Sequence, residues 1–132
     1  MAKPPGEDPP TSVRWVGSSK EDLSEFPAEV RRRVGGAPWE AQIGRKAPFA
    51  KSLRGFGYAG VLEIVDDFDG DTFRAVYTVR FANAVYVLHA FQKKSKRGIA
   101  TPKAELGLIE QRLKRAREDY EQWSKSERPK SR

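Results

Sequence analysis

Hydrophobic side chains recur at helical spacing in the first third of the chain, where a helix is predicted to begin at Ser19. Pro27 can divide this helix, and Gly35-Gly36 is expected to end it. A second short helix is predicted over residues 39–43. The β-branched and aromatic segment at 13–16 predicts a strand ahead of both helices.

From residue 61 the hydrophobic spacing becomes two, which is the spacing of β-strands. Strands are predicted over 61–65, 72–81 and 84–91, joined by short turns that contain Asp69-Gly70 and Asn83. Three strands joined in this way form an antiparallel meander.

Strict alternation along these strands predicts which side chains share a face of the sheet. In the second strand it places Arg74 and Phe81 on opposite faces. In the third strand it places His89 on the face of Val85, Val87 and Phe91.

The last predicted helix opens at Thr101-Pro102 with an N-cap residue and a first-turn proline. Its apolar stripe, which must pack against another surface, consists of Leu106, Ile109, Leu113, Ala116, Tyr120 and Trp123. We therefore expect one folded domain over residues 12–123. The proline-rich residues 1–11 are expected to form a disordered leader, and residues 124–132 a polar basic tail.

Composition limits the chemistry that this chain can use. Its 132 residues contain no cysteine and one histidine, which excludes disulfides, thiolate metal sites and histidine clusters, so no metal and no cofactor is expected. The chain has neither a run of about 20 apolar residues nor a signal-peptide pattern, so we expect a soluble cytoplasmic protein with no membrane partner.

The net charge of +7 is unevenly distributed. Residues 41–62 and 72–104 contain no acid, and the second stretch carries seven cations: Arg74, Arg80, Lys93, Lys94, Lys96, Arg97 and Lys103. This segregation favours a cationic face that attracts a polyanion, with nucleic acid ahead of an anionic membrane. The alternative is a merely basic, soluble surface.

One motif is misleading in its context. Residues 55–60 fit the dinucleotide-binding pattern G-x-G-x-x-G, but a helix and a basic loop precede them and a strand follows them. The expected order is strand, glycine-rich turn, helix. We therefore interpret these glycines as a flexible loop.

Several side chains of the meander allow both a structural and a functional interpretation. Glu63 is an exposed or salt-bridged edge residue, with Arg74 as a possible cross-strand partner, or a carboxylate held to accept a proton. His89 is a satisfied structural residue or a catalyst. The cations at 93–97 are a solvated loop or a phosphate-binding strand end, and Phe91 packs in the core or stacks on a base.

The order of Glu63-Ile64, TFRAVY at 72–77, VLHAFQKKS at 87–95 and Thr101-Pro102-Lys103 resembles the phage-derived, HigB-like branch of the RelE/ParE toxin superfamily. The resemblance spans roughly residues 13–117. It implies an α+β, RelE-like fold: a curved antiparallel sheet with two N-terminal helices and a C-terminal helix. The helices would cover one side of the sheet and leave a cationic concave face on the other.

The resemblance also implies a function. Relatives are toxins of type II toxin–antitoxin systems, many of which are endoribonucleases that cut mRNA on the ribosome and are neutralised by a helix-turn-helix antitoxin. Others inhibit gyrase without being enzymes. A third possibility is a nucleic-acid-binding phage remnant with no toxicity.

Metal-independent RNA cleavage requires a base, an acid and cations. By likeness to relatives with a Glu–Arg pair, Glu63 is the predicted general base, with His89 as its rival. Arg74 is the predicted phosphate clamp, and Lys93 and Lys94 hold the scissile phosphate or act as acid. The predicted RNA-binding residues are Lys51, Arg54, Arg80, Phe91, Lys96 and Arg97.

Overall fold

The computed structural model describes residues 12–42, 50–53, 60–81, 84–94 and 102–127. These residues form five strands and three helices in the order β1 (Ser12–Trp15), α1 (Ser19–Ser24), α2 (Ala28–Gln42), β2 (Lys51–Ser52), β3 (Val61–Phe68), β4 (Asp71–Phe81), β5 (Ala84–Lys94) and α3 (Lys103–Glu127). The predicted α+β architecture, with two N-terminal helices and a C-terminal helix, is confirmed.

The five strands form one sheet in the order β1-β5-β4-β3-β2. The β3-β4-β5 meander is antiparallel as predicted, and β2 adds a short antiparallel strand beyond β3. Strand β1 is the exception, because it pairs parallel to β5. Strand β5 therefore places a late part of the chain beside its first strand.

The predicted Asp69-Gly70 turn joins β3 to β4. Both residues have positive φ, 54° for Asp69 and 85° for Gly70, and they link the paired residues Phe68 and Asp71. Two-residue hairpins favour turns of this kind because their twist matches that of the strands, and glycine adopts positive φ without a steric cost. The predicted turn residue Asn83 lies outside the described residues.

Helix α2 is longer than the sequence predicts. Pro27 does separate α1 from α2, but the Gly35-Gly36 pair does not end the helix, which continues to Gln42 and includes most of the short helix predicted at 39–43. Each glycine inside a helix costs about 1 kcal/mol. Val30 and Val34 are fully buried against the sheet, and this packing is the kind of tertiary gain that overrides a local preference.

Two apolar clusters lie on opposite faces of the sheet, so helices cover both faces. On one face, residues of α1 and α2 such as Leu23 and Val30 pack against Phe73 and Tyr77. On the other, the α3 stripe packs against strand residues: Ile109, Leu113 and Ala116 against Val61, Val76, Tyr86 and Leu88. The expectation that all helices lie on one side was wrong, because the apolar stripe of α3 needs a sheet face of its own.

A β-bulge at Leu88 changes the alternation of β5. Tyr77 pairs with Val87, and Val76, the residue before it in β4, pairs with His89. Leu88 is therefore left as the extra residue of β5. Val85 and Val87 therefore face α1 and α2, whereas His89 and Phe91 lie on the α3 face with Arg74. The predicted sharing of a face by His89 and Val87 was wrong for this reason.

A second irregularity, between Thr78 and Phe81, has the same effect in β4. Phe81 contacts Tyr86 and Tyr120 on the α3 side, with ring centroids 5.4 and 4.8 Å away. Phe81 and Arg74 thus lie on the same face of the sheet, although strict alternation predicts that they lie on opposite faces.

Candidate functional site

Most of the predicted catalytic side chains that the structure describes meet on the α3 face of the sheet. Two adjacent cross-strand rows carry them: Lys51, Glu63, Val76 and His89 in one, and Val65, Arg74 and Phe91 in the next. The bulge at Leu88 places His89 and Phe91 of β5 in these rows. We call this group the sheet-face site.

Glu63 and Arg74 form a buried ion pair at the centre of this site. The Glu63 Oε2 to Arg74 Nη1 distance is 3.4 Å, and the side chains are only 9% and 3% exposed. Glu63 is not an edge residue, since β2 continues the sheet with Lys51 opposite it. The predicted cross-strand partnership is confirmed, and it holds a carboxylate beside a cation in surroundings where their attraction is little screened by water.

His89 is held in a network of hydrogen bonds on the same face. Its Nδ1 lies 3.3 Å from Nη1 of Arg112, which can only donate, and its Nε2 lies 2.5 Å from Oε1 of Glu105. The ring is therefore assigned as the neutral tautomer that accepts at Nδ1 and donates from Nε2. Phe91 stacks on the ring at 4.8 Å. These contacts favour the structural interpretation of His89, because its one acceptor nitrogen is already engaged.

Arg112 is a residue that charge and periodicity did not single out as part of a site. Its guanidinium donates to the Leu88 carbonyl at 3.0 Å and to the Ser18 hydroxyl at 3.2 Å, in addition to the His89 ring. Burial lowers the pKa of Arg112. In sequence it is one cation in a helix rich in cations, so only the fold distinguishes it.

The predicted phosphate-binding cations fall into four groups. Lys51 is exposed on β2, at the end of the row that contains Glu63. Lys93 and Lys94 continue β5, where their backbones lie opposite Thr72 and Asp71. Arg80 lies in β4, and its side chain is outside the description. The remaining predicted RNA-binding residues, Arg54, Lys96 and Arg97, lie outside the described residues.

A second polar cluster, which the sequence did not predict, joins β1 to the later turns of α3. Asp119 accepts hydrogen bonds from Arg14 Nε at 2.8 Å and from the Tyr86 hydroxyl at 2.6 Å. Hydrogen bonds from Arg14 and Tyr86 lower the pKa of Asp119, and burial together with the Asp119 hydrogen bond raises that of Tyr86. A cavity of about 650 Å³ adjoins this cluster.

Among the described residues, no three His, Asp or Glu side chains come close enough together to hold a metal ion. None of the described helices is both long and apolar enough to cross a membrane.

Fold and site together define a small α+β protein whose mostly antiparallel sheet carries a buried Glu–Arg pair, flanked by an exposed lysine and a lysine-bearing strand end. A protein-family model described as phage-derived protein Gp49-like (DUF891) matches residues 21–114, well over half of the chain. The chain belongs to this family. The match confirms the predicted resemblance to the phage-derived branch of the RelE/ParE superfamily.

Solved structures give more distant similarities. One is a mutant of the Escherichia coli toxin RelE in the free state, with 16% identity, a TM-score of 0.49 and coverage of 80% of this chain and 97% of that one. Another is the RelBE2 toxin–antitoxin complex of Mycobacterium tuberculosis, with 19% identity, a TM-score of 0.44 and coverage of 64% and 99%. These values are too low to carry function across to this chain. No curated protein matches its sequence.

Proposed function

We propose that this protein is the toxin of a type II toxin–antitoxin pair and that it cleaves mRNA on the ribosome. The observation that carries the proposal is the sheet-face site itself: the fold brings Glu63, Arg74, Phe91 and Lys51 onto one face of a protein with net charge +7. Membership of the phage-derived family supports it. The proposed partner is a helix-turn-helix antitoxin, and the proposed substrate implies a cytoplasmic location.

The proposed reaction uses the RNA's own nucleophile. The 2'-hydroxyl loses its proton to a general base and its oxygen attacks the adjacent phosphorus, while the bond to the 5'-oxygen breaks and that oxygen takes a proton from a general acid. The products are a 2',3'-cyclic phosphate and a 5'-hydroxyl. Cations stabilise the extra negative charge that the phosphorane carries in the transition state.

Glu63 remains the proposed base, because its carboxylate lies in the sheet-face site and is the more exposed member of the pair, at 9% against 3% for Arg74. His89 is the weaker candidate, since its acceptor nitrogen already receives an N–H from Arg112. The burial of Arg74 supports an electrostatic contribution from beneath the surface rather than the direct clamp that the sequence suggests. Direct phosphate contacts are then assigned to Lys93, Lys94 and the exposed Lys51.

Controlled expression followed by mapping of RNA 5'-ends tests the proposal. The wild type should arrest growth and create new 5'-hydroxyl ends within translated messages, and coexpression of a small helix-turn-helix protein encoded beside it should restore growth. Lys93→Ala and Lys51→Ala should each reduce the new ends, whereas Lys20→Ala, an exposed lysine on α1, should leave them unchanged.

The alternatives predict different results. Growth arrest with no new RNA ends, together with accumulation of broken chromosomal DNA, would contradict the nuclease proposal and favour a gyrase inhibitor. RNA binding with neither arrest nor cleavage would identify a non-toxic phage remnant. Cleavage of purified RNA at the same sites without ribosomes would contradict ribosome dependence while leaving the nuclease proposal intact.

A further inference from the structure

The bulge at Leu88 decides which β5 side chains reach the sheet-face site. Upstream of it, Val87 faces α1 and α2; downstream, His89 and Phe91 face α3. Regular alternation from Val87 would have placed these two residues on the opposite face. A shift of one residue moves every following side chain of a strand to the other side of the sheet. Whatever holds the bulge therefore holds the site together.

Arg112 makes the contacts that hold the bulge from α3. Its Nη1 donates to the carbonyl oxygen of Leu88, the extra residue, at 3.0 Å, and lies 3.3 Å from Nδ1 of His89, the residue that follows. One nitrogen of a rigid guanidinium thus engages both residues at the irregularity. A bulged residue has no partner in the hydrogen-bond ladder of the sheet. Its buried backbone carbonyl therefore needs a hydrogen-bond donor from elsewhere.

The segment before α1 fixes the guanidinium from the other side. Nη2 of Arg112 donates to the Ser18 hydroxyl at 3.2 Å, which in turn donates to Asp22 Oδ2 at 2.7 Å. Gly17 leaves the space that the guanidinium occupies, because a Cβ atom there would lie 2.9 Å from Arg112 Cζ. Arg112 is 9% exposed, so water is not an alternative partner for most of its surface.

We infer that Arg112 is a positioning residue that locks the β5 bulge and so keeps Phe91 opposite Arg74 and Lys93 opposite Thr72. It acts through Leu88 and His89 and does not itself reach the RNA. The catalytic consequence of this inference rests on the proposed ribonuclease function. The structural consequence, a register that depends on Arg112, does not.

The single histidine of the chain makes the lock directly observable by NMR. In the wild type, ¹⁵N spectra of the His89 ring should show Nε2 protonated and Nδ1 unprotonated. In Arg112→Lys, which keeps the charge but cannot reproduce the planar fork of donors, the Nδ1 resonance should shift because its donor is lost, while Nε2 stays protonated towards Glu105. Cross-strand contacts between Arg74 and Phe91, below the bulge, should weaken, while those between Tyr77 and Val87, above it, should persist.

This contrast separates positioning from general destabilisation, because a loss of stability would weaken both sets of contacts together. Arg117→Lys, a matched exchange at an exposed position of α3, should change neither the ring spectrum nor the contacts. In the RNA-cleavage assay Arg112→Lys should lower kcat by about a hundredfold, as expected for a misplaced site, while Arg117→Lys stays at the wild-type rate.

Unchanged His89 signals and unchanged Arg74–Phe91 contacts in Arg112→Lys would overturn the inference. If this variant does not fold, Ser18→Ala, which removes one partner of the guanidinium, should show the same changes in weaker form, and their absence would also overturn it. A wild type that cleaves no RNA would refute the proposed function, and the NMR comparison would then still decide the role of Arg112.

Discussion

Replacing Arg74 by methionine removes the cation that lies 3.4 Å from the Glu63 carboxylate while keeping most of the side-chain volume. At that distance two unit charges attract by about 5 kcal/mol with an effective dielectric constant of 20. Much of this attraction offsets the cost of taking both charges out of water. Because both side chains are at least nine-tenths buried, removing one partner should cost about 3–5 kcal/mol of the free energy of unfolding.

Replacing both members of the pair should cost far less than either single change. Buried ion pairs exchanged for apolar residues of similar volume are often neutral or more stable by about 1–4 kcal/mol. The variant Glu63→Leu with Arg74→Met should therefore unfold near the wild-type urea concentration. Urea titrations followed by the fluorescence of the three tryptophans would measure all four members of this double-mutant cycle.

The control is Arg32→Met, an exposed arginine of α2, which should change stability by less than about 0.5 kcal/mol. A loss below about 1 kcal/mol for Arg74→Met, or a double variant as unstable as the sum of the singles, would refute the reasoning about this pair. If the double variant is folded but cleaves no RNA, the pair is needed for function and not for the fold.

Two other changes test contacts on the α3 side of the molecule. Gly17→Ala should destabilise the protein by roughly 1–2 kcal/mol, because Gly17 has a φ of 57° and an added methyl group would press on Arg112; thermal unfolding would measure it, and an unchanged Tm would contradict the packing described here. Asp119→Asn should be less stable than the wild type at pH 7 by no more than about 1 kcal/mol, since Asp119 is half exposed. The pKa of Asp119 is lowered on folding, so this difference should persist above about pH 4 and shrink as the pH falls further; a difference that grows in acid would contradict it.

Local signals predicted the parts of the fold that depend on neighbours in sequence. Asp69-Gly70 predicts a hairpin because few residue pairs adopt two consecutive positive φ angles, and Pro27 predicts a helix break because proline cannot donate a backbone hydrogen bond. The apolar stripe along residues 106–123 predicts a packed helix. In each case the physical cause lies within a few residues.

The rest of the fold depends on contacts between distant segments. Strand β1 pairs with β5 in parallel, and the bulge at Leu88 depends on a guanidinium 24 residues further along the chain. The same holds for Asp119, whose partner Arg14 is 105 residues away. Alternation therefore predicts the composition of each strand face correctly only as far as the first irregularity.

The candidate site shows the same division. Glu63 with Arg74 could be predicted as a pair, because facing strands of a short hairpin leave few possible registers. The sequence did not predict the burial of the pair, which is set by the whole fold. Nor did it predict that His89 accepts from Arg112, since that contact joins the sheet to the last helix.

The parallel pairing of β1 with β5 has a consequence for the order of folding. The β3-β4 and β4-β5 hairpins close short loops and can form early, whereas β1 must wait for a partner about 70 residues downstream. Arg112 follows later still, in α3. During synthesis from the N-terminus, then, the strands of the site exist before the side chain that sets their register. A growing chain therefore carries an incomplete site until α3 has emerged, and the proposed toxic activity should begin only after that point.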